Sequence, residues 1–271
     1  MTMPGSPAYF ETVAEEYASW YQAQSPGGHA LRTRQKRMLE LLDQPGGRVL
    51  DVGCGPGILT RDLLDLGYEF WGVDASPGMI EQCRKHFGRT DRAHFAVGDA
   101  ASLAFPDGYF DAAICLGVID RLQAHESAIR EMLRVVKGGG TLLISFPNLL
   151  SPYAAWKTSV FYPLVERLRP LYYGLTGRPQ RPSLLSSFVK LHTARTATDV
   201  VQRYGADVTD VVYFHFNLFL SPLDDLFPRL ALRVTERLER LRFGPLKWLG
   251  AGFILKGKRR RADPPGRLSE R

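Results

Sequence analysis

Short apolar runs alternate with amphipathic stretches through most of the chain. The runs are rich in β-branched and aromatic residues, which favour extended backbone, so they predict strands. The predicted strands in this part are Arg48–Val52, Glu69–Val73, His94–Val97, Phe110–Leu116 and Thr141–Phe146. The intervening stretches Thr60–Leu66, Pro77–Phe87 and Glu126–Val135 have the spacing of helices. Apolar strands that alternate with helices predict a parallel sheet covered on both faces.

The pattern is different at both ends of this region. Residues 8–24 and 29–43 predict two helices before the first strand. A proline-rich segment, residues 147–190, interrupts the alternation and predicts an insert with one or two short helices. The alternation then resumes. It predicts a helix opened by a capping box from Thr196 to Asp199, a strand over Asp207–Phe216, a helix over Asp224–Arg240, a break at Phe243-Gly244-Pro245 and a final strand over Leu249–Lys256.

Composition indicates a folded domain with its own core. The chain has 271 residues, of which 45% are apolar and 23% charged, and these values do not fit a disordered, collagen-like or disulfide-framework protein. Cys54, Cys83 and Cys115 lack CxxC spacing, so we expect reduced thiols in a cytosolic protein and no zinc site. The first residues do not predict a secretory signal, and no apolar run reaches the length of a membrane span.

The positive charge is concentrated in two segments. The net charge is +7, yet residues 147–190 and residues 256–271 each contribute +5, which leaves −3 for the rest of the chain. This distribution favours local contact with an anionic surface over a generally basic nucleic-acid binder. We expect residues 258–271 to form a basic, disordered and solvated tail.

The clearest chemical motif is a glycine-rich turn directly after the first predicted strand. It is Val49-Leu50-Asp51-Val52-Gly53-Cys54-Gly55-Pro56-Gly57. Glycines let the backbone approach a ligand, and ligands bind at strand carboxyl ends where the sheet order reverses. The spacing is G-x-G-x-G rather than the G-x-G-x-x-G of dinucleotide sites, and Pro56 has no N–H for a pyrophosphate. The acidic Asp51 favours a ligand with a cationic group.

This stretch resembles motif I of the class I S-adenosylmethionine-dependent methyltransferases. Four further segments resemble later motifs of that family, in the family's order. They are Gly72–Ser76, Gly98–Ala100, Asp107–Cys115 and Glu131–Gly140, the last being a helix followed by a glycine turn. The resemblance implies an α/β fold with a doubly wound, seven-stranded, mostly parallel sheet of the Rossmann-like type. It also implies an antiparallel final strand and a helical cap over the strand carboxyl ends.

The resemblance divides the chain into five segments. It implies an N-terminal helical lid over residues 1–47, a cofactor-binding half over 48–146, a helical, aromatic and basic insert over 147–190, a C-terminal half over 191–257 and the tail over 258–271.

The resemblance also implies S-adenosylmethionine as the cofactor. Asp51 would help to hold the ammonium group of its methionine part, and Asp74 would hold the two ribose hydroxyls. The residues implied in cofactor binding are Asp51, Gly53, Cys54, Gly55, Gly57, Asp74, Ala75, Met79, Asp99, Ala100 and Leu116. Two alternatives stay open: Gly57 could serve only the packing of helix on strand, and Met79 could be an ordinary core residue.

The acceptor side is less clear. Many relatives carry Glu-His or His-His after the fourth strand, where this chain has Asp120-Arg121. Asp120 and His192 are weak candidates for a general base, since a carboxylate with an ordinary pKa of about 4 is a poor base toward a hydroxyl. The sulfonium is already activated, so positioning alone could suffice, and the methylated atom (O, N or C) stays open.

By resemblance we expect a small, hydrophobic acceptor such as a quinone, a lipid or a secondary metabolite. A methyltransferase acting on a macromolecule, or a noncatalytic subunit that keeps the fold, are the alternatives, and a nucleic acid is not favoured. Aromatic and basic residues alternate in the insert 147–190. They predict either peripheral contact with a membrane or the lining of a pocket or subunit interface, while the oligomeric state is not determined.

Overall fold

A seven-stranded sheet organises the part of the chain that the structure describes. The computed structural model describes residues 7–43, 45–176, 191–220, 222–240 and 247–261. The strands are Gly47–Val52 (β1), Tyr68–Asp74 (β2), Ala93–Val97 (β3), Phe110–Cys115 (β4), Val136–Pro147 (β5), Ala206–Phe214 (β6) and Gly252–Arg259 (β7).

Helices cover both faces of this sheet. They are Pro7–Gln22 (α1), Pro26–Leu41 (α2), Thr60–Asp65 (α3), Pro77–Phe87 (α4), His125–Val135 (α5), Pro152–Trp156 (α6), Tyr162–Thr176 (α7), Ala194–Arg203 (α8), Leu223–Leu226 (α9) and Pro228–Arg240 (α10). A π-helical segment, Lys157–Phe161, joins α6 to α7, and 3₁₀ turns lie at Ile119–Arg121 and Lys247–Leu249. Among the described helices, none is both long and apolar enough to cross a bilayer.

The strand order is β3-β2-β1-β4-β5-β7-β6. The first five strands pair in parallel, whereas β7 runs antiparallel to both β5 and β6. The predicted doubly wound sheet with an antiparallel final strand is therefore confirmed. The chain reverses its direction of winding between β1 and β4, which opens a crevice at the strand carboxyl ends.

Two apolar cores hold the strands in place. On one face, Phe110 and Phe146 are buried with side chains from α5 and α8. On the other face, Met38 of α2 and Phe70 of β2 are buried with side chains from α3 and α4. Because both faces are packed, the strand ends that form the crevice are fixed relative to one another.

The start of α8 differs from the predicted one. The N-cap is Thr193, not Thr196, and the helix begins at Ala194. The Thr193 hydroxyl accepts from the N–H of Thr196, and the Thr196 hydroxyl accepts from the N–H of Thr193, both at 3.1 Å. The hydroxyl of Thr196 thus does what a Glu or Gln does in the usual capping box.

The helix predicted over Asp224–Arg240 is divided in two. Its break lies at Phe227, which has φ −122° and ψ 56° and separates α9 from α10. The residue before a proline is disfavoured in the α conformation by the proline ring, and Pro228 follows here. Pro228 is tolerated as the first residue of α10, where its missing N–H removes no helical hydrogen bond.

The glycine turn predicted before the fifth strand is instead part of β5. This strand begins at Val136, directly after α5, and Gly139 has φ 84°. A Cβ on Gly140 would lie 2.8 Å from the carbonyl oxygen of Asp111. The glycines therefore allow a close, irregular approach of β5 to β4, where the pairing register shifts between Phe110 and Ala112.

The insert begins with the expected helices, α6 and α7, while residues 177–190 and the break predicted at Phe243-Gly244-Pro245 lie outside the described residues. The last strand has the predicted length but begins and ends three residues later. It continues to Arg259, so Lys258 and Arg259 belong to the sheet rather than to the predicted tail. Residues 262–271 of that tail also lie outside the described residues.

Asp43 links the last strand to the centre of the sheet. Its carboxylate accepts hydrogen bonds from Lys256 and Lys258 on β7 and, at 3.0 Å, from the hydroxyl of Thr141 on β5. Burial by itself would raise the pKa of Asp43. The hydrogen bonds together outweigh this effect and lower the pKa from 3.8 to about 2. Two lysines of the basic C-terminal segment are therefore part of the folded structure.

We predict that Asp43→Asn lowers the free energy of unfolding by up to about 1 kcal/mol near neutral pH, the usual range for a partly exposed ion pair. Because folding lowers the pKa of Asp43 from 3.8 to about 2, its contribution is complete above the higher value and is lost as the pH falls toward the lower one. Urea unfolding at neutral and at acidic pH should show this loss. Asp91→Asn, at an exposed position, is the control, and a difference that does not change with pH would contradict the prediction.

Candidate functional site

The glycine-rich turn leaves β1 where a side chain would not fit. Gly53 and Gly55 have φ angles of 76° and 53°, in the left-handed region that favours glycine. A Cβ on Gly53 would lie 2.2 Å from a methyl carbon of Val118. The N–H groups of Gly53 and Cys54 donate to the carbonyl oxygen of Val73 at 2.7 and 3.1 Å. The turn is thereby fixed to the end of β2.

Asp74, the last residue of β2, holds the same turn with its side chain. One carboxylate oxygen accepts from the N–H of Gly55 and the other from the N–H of Ser76, both at 2.9 Å. Burial raises the pKa of Asp74, and these backbone hydrogen bonds act in the opposite direction. Each carboxylate oxygen can accept a second hydrogen bond, so the group can receive a ligand diol while it still holds the turn.

A cavity opens at the carboxyl ends of β1, β2 and β4. Phe10 and Tyr17 of α1 line one side of it, which is the position expected of an N-terminal lid. The predicted cofactor residues that line it are Gly53, Gly55, Asp74, Ala75, Met79, Asp99, Ala100 and Leu116. Strand ends that are distant in the chain thus converge on one cavity, as they do at the ligand sites of open α/β sheets.

A smaller cavity adjoins the first, and Gly53, Gly55 and Tyr17 line both. Asp51 and Cys54, two further predicted residues, line the smaller one. Burial raises the pKa of Asp51 to about 7, and the nearby carboxylate of Asp74 contributes to the rise. Asp51 therefore titrates near neutral pH.

Arg34 supplies a positive charge to the smaller cavity, and no sequence motif indicated it. This residue of α2 lines the cavity, and its Nη2 lies 3.4 Å from the hydroxyl of Tyr21. Its Nε is buried and has no hydrogen-bond partner among the described residues. Arg34 and Asp51 thus place opposite charges on the wall of one small cavity, which suits a ligand with both a carboxylate and an ammonium group.

Gly57 lines neither of these two cavities. A Cβ on Gly57 would lie 2.9 Å from Oγ1 of Thr60 and 3.2 Å from both Sγ of Cys83 and the ring of Phe87. This close contact supports the packing alternative for Gly57 and does not support its predicted contact with a cofactor.

Residues that follow β4 in the chain form another wall of the larger cavity. It consists of Leu116, Gly117, Val118, Arg121 and Leu122. The N–H of Gly117 donates to the hydroxyl of Ser145 on β5 at 2.8 Å, which fixes this wall to the neighbouring strand. Arg121 also approaches the lid, since its guanidinium carbon lies 5.5 Å from the centre of the Phe10 ring.

The two weak candidates for a general base are not lining residues of this cavity. Asp120 is buried, and burial raises its pKa. His192 is also buried, with its ring 5.1 Å from that of Phe146 and 5.7 Å from that of His125. The charged group that the structure places on this wall is instead Arg121, the second residue of the pair that replaces Glu-His.

Comparisons with known proteins agree with this geometry. Residues 50–144 match the family described as "Methyltransferase domain". The chain is 30% identical over 181 residues to the demethylmenaquinone methyltransferase of Beutenbergia cavernae, covering 67% of this chain and 73% of that protein. It is 30% identical over 156 residues to the ubiquinone biosynthesis O-methyltransferase of Xanthomonas oryzae, covering 54% of this chain and 65% of that protein. The chain belongs to the class I S-adenosylmethionine-dependent methyltransferases.

Solved structures share the fold at low sequence identity. One is in the complex between the Haloferax volcanii Trm112 methyltransferase activator and a methyltransferase, with a TM-score of 0.64, 19% identity and coverage of 93% of this chain and 98% of that one. Another is the S-adenosylmethionine-dependent methyltransferase of Mesorhizobium loti, with a TM-score of 0.57, 18% identity and coverage of 83% and 98%.

The residues of the two cavities fit S-adenosylmethionine, the cofactor of this family. Asp51 and Arg34 would hold the ammonium and carboxylate groups of its methionine part. Asp74 would hold the ribose hydroxyls, and Asp99 would meet the adenine amino group. Met79, whose side chain is buried in the wall of the larger cavity, would pack on the adenine ring. The cofactor thus has a complementary group for each of its polar parts.

We predict that Asp74→Ala weakens the binding of S-adenosylhomocysteine about ten- to hundredfold, since hydrogen bonds to a charged group contribute about 1.5–3 kcal/mol. Isothermal titration calorimetry measures this affinity directly. The control is Asp107→Ala, because the Asp107 side chain is 73% exposed and does not line the cavity. Unchanged affinity in a folded Asp74→Ala protein would contradict the assignment of Asp74.

A second prediction concerns the pH dependence of binding. Only the ionised form of Asp51 attracts an ammonium group, and this form becomes dominant as the pH rises through about 7. The affinity for S-adenosylhomocysteine should therefore increase from about pH 6 to about pH 8. Asp51→Asn should bind more weakly and with little dependence on pH in the same calorimetric titrations. A variant that keeps the pH profile of the wild type would assign the profile to another group.

Proposed function

We propose that the protein transfers a methyl group from S-adenosylmethionine to a small, hydrophobic acceptor of the quinone or hydroquinone type. The observation that carries the proposal is the larger cavity, where the predicted cofactor residues meet an apolar wall, Leu116–Val118, beside the cation of Arg121. The names of the relatives support the acceptor class. They include, besides the two above, the 2-methyl-6-phytyl-1,4-hydroquinone methyltransferase of Synechocystis, 34% identical over 139 residues.

In this proposal the cavity holds the cofactor and aligns the acceptor with it. When bound, the cofactor supplies an electrophilic methyl group on a sulfonium. Asp51 and Arg34 would hold the methionine end of the cofactor and Asp74 its ribose, and Leu116 with Gly117 would form the wall beside its sulfonium. Alignment of the acceptor atom behind the methyl group is then the main requirement for displacement.

Arg121 is the group that would favour the acceptor in its reactive form. A phenolic oxygen beside a guanidinium loses its proton more readily, because the cation stabilises the phenolate. Asp120, whose pKa is raised by burial, and His192 are not lining residues of the cavity. We therefore propose that Arg121 stabilises the acceptor as a phenolate that has already lost its proton to water, so that no general base on the chain is required, and that the methylated atom is an oxygen.

We also propose that the protein is cytoplasmic and contacts a membrane peripherally. The three cysteines are free and buried, which supports the cytoplasm, where thiols stay reduced. The basic and aromatic insert supports peripheral contact with a membrane from that side. A hydrophobic acceptor would be concentrated there.

Methyl transfer is tested with S-adenosylmethionine that carries an isotopically labelled methyl group. The protein is incubated with a panel of catechols, hydroquinones, amines and fatty acids, and products are identified by mass spectrometry. We expect label in an O-methyl ether of a phenolic acceptor. Binding of S-adenosylhomocysteine without transfer to any acceptor would instead support a noncatalytic subunit.

Arg121→Gln separates the acceptor from the cofactor. The variant should lower kcat/KM for a phenolic acceptor at least about tenfold, with the loss smallest at alkaline pH, where the acceptor ionises by itself. Its affinity for S-adenosylhomocysteine should stay close to that of the wild type. Arg203→Gln is the control, since the Arg203 side chain is 62% exposed. An equal loss of activity at every pH would contradict a role for Arg121 in acceptor ionisation.

A further inference from the structure

The exposed side of α7 is apolar. Leu164, Leu168, Leu171 and Leu175 recur at spacings of four and three residues, so they form one stripe along this helix. Their exposed fractions lie between 52% and 79%. A helix of a globular protein ordinarily turns such a stripe toward the core. Here the stripe faces away from the described part of the protein.

A second set of exposed apolar side chains surrounds α9. It comprises Leu218, Leu220, Leu223, Leu226, Phe227 and Leu230. We call this set and the α7 stripe together the apolar surface. Large exposed apolar patches on soluble proteins mark sites of interaction with proteins or membranes.

A buried polar network fixes the insert to α9. The hydroxyl of Tyr153 on α6 donates to the buried carboxylate of Asp224 on α9 at 2.8 Å. Lys157 Nζ donates to the same hydroxyl at 2.9 Å, and Asn217 Nδ2 lies 3.4 Å from the same carboxylate. The network therefore fixes α6, which continues through the π-helical segment into α7, to α9.

Among the described residues, the charged side chains at exposed positions of α7, and of α10 next to α9, are basic. The described exposed residues of α7 and α10 include no Asp or Glu. Their charged members are Arg167, Arg229, Arg233 and Arg237. Glu166, which is less exposed, lies 3.2 Å from Arg169 and is thereby neutralised. Apolar side chains beside exposed arginines match a partner that is apolar within and anionic at its edge.

We propose that the apolar surface docks on a membrane that contains anionic phospholipids. The leucines enter the boundary between head groups and acyl chains, and the arginines meet the lipid phosphates. The inference extends the proposed function and rests on it only for the choice of a lipid-soluble acceptor. It is consistent with the chain path, since β5 borders the cavity through the Ser145–Gly117 hydrogen bond and leads directly into the insert.

A second copy of the chain complements this surface less well than a membrane does. In a two-fold dimer each surface would meet itself. The arginines of one copy would then approach those of the other, without exposed carboxylates from the described residues of α7 or α10 to pair with them. Lipid phosphates supply the missing negative charge, and they do so for the whole surface at once.

Co-sedimentation of the full chain with vesicles tests the proposal. One set of vesicles is phosphatidylcholine alone, and the other contains phosphatidylglycerol as well. We expect binding to the anionic vesicles at low salt and weaker binding at high salt. Leu168→Gln combined with Leu171→Gln should weaken binding at least about tenfold, and Arg167→Gln combined with Arg229→Gln should weaken it about tenfold or more. A supernatant that retains the wild type at low salt would overturn the proposal.

A matched control separates this surface from general stickiness. Leu66 and Val97 are also exposed apolar residues, but they lie at the other end of the sheet order: Leu66 shortly before β2, and Val97 as the last residue of β3. Replacing both with Gln should leave vesicle binding unchanged, and an equal loss would contradict the proposed surface. Sedimentation velocity provides the other decisive outcome: a dimer that Leu168→Gln with Leu171→Gln dissociates would assign the surface to a second copy.

Binding of S-adenosylhomocysteine is measured on every variant. It should be unchanged, because none of the replaced residues lines the two cavities. If vesicle binding is absent while cofactor binding and methyl transfer persist, the membrane inference is wrong and the proposed function stands. If vesicle binding follows the predicted pattern without methyl transfer to any acceptor, the membrane inference stands and the proposed function is wrong.

Discussion

The site depends on the parallel pairing of β1 with β2. The two strands end side by side, and the turn after β1 is held by the backbone and side chain at the end of β2. Val73 accepts from two N–H groups of the turn, and the Asp74 carboxylate accepts from a third, that of Gly55. Without the left-handed geometry of Gly53 and Gly55, those N–H groups would not point at β2. The same few hydrogen bonds therefore shape the turn and orient the carboxylate that faces the larger cavity.

The electrostatics of the site follow from burial in the same crevice. Asp51 and Asp120 are buried and Asp74 is partly buried, and burial raises the pKa of each of them. Arg34 brings a cation from α2 and lowers the cost of ionising Asp51. A ligand with paired charges at one end is complementary to this arrangement, whereas a pyrophosphate would face carboxylates. The acidic residues at the strand ends thus favour a ligand with a cationic group.

The C-terminal half of the chain serves a different purpose. The insert follows β5, whose Ser145 is hydrogen-bonded to Gly117 in the wall of the larger cavity. A buried network around Tyr153 and Asp224 holds the insert to α9. Its leucine stripe contributes nothing to the described core, so the insert is not explained by stability alone. A protein that joins a polar cofactor to a hydrophobic acceptor needs both a sealed cavity and access to an apolar phase. The proposed membrane surface would provide the second, and α1, whose Phe10 and Tyr17 line the larger cavity, would provide the first as the predicted lid.

The sequence by itself determined the sheet and the half of the site that is local to strand ends. Alternating apolar runs define strands whatever their partners, and Asp51, Gly53 and Asp74 could be predicted because they lie within or directly after such runs, in motifs that resemble those of a known family. Arg34 and Arg121 reach the cavities only through the packing of α2 and the turn after β4, and residue spacing holds no information on such contacts between distant segments. The leucine spacing of α7 likewise predicts an apolar face. Only the tertiary structure decided that this face points outward, because helical periodicity fixes which residues share a face and not what lies opposite that face.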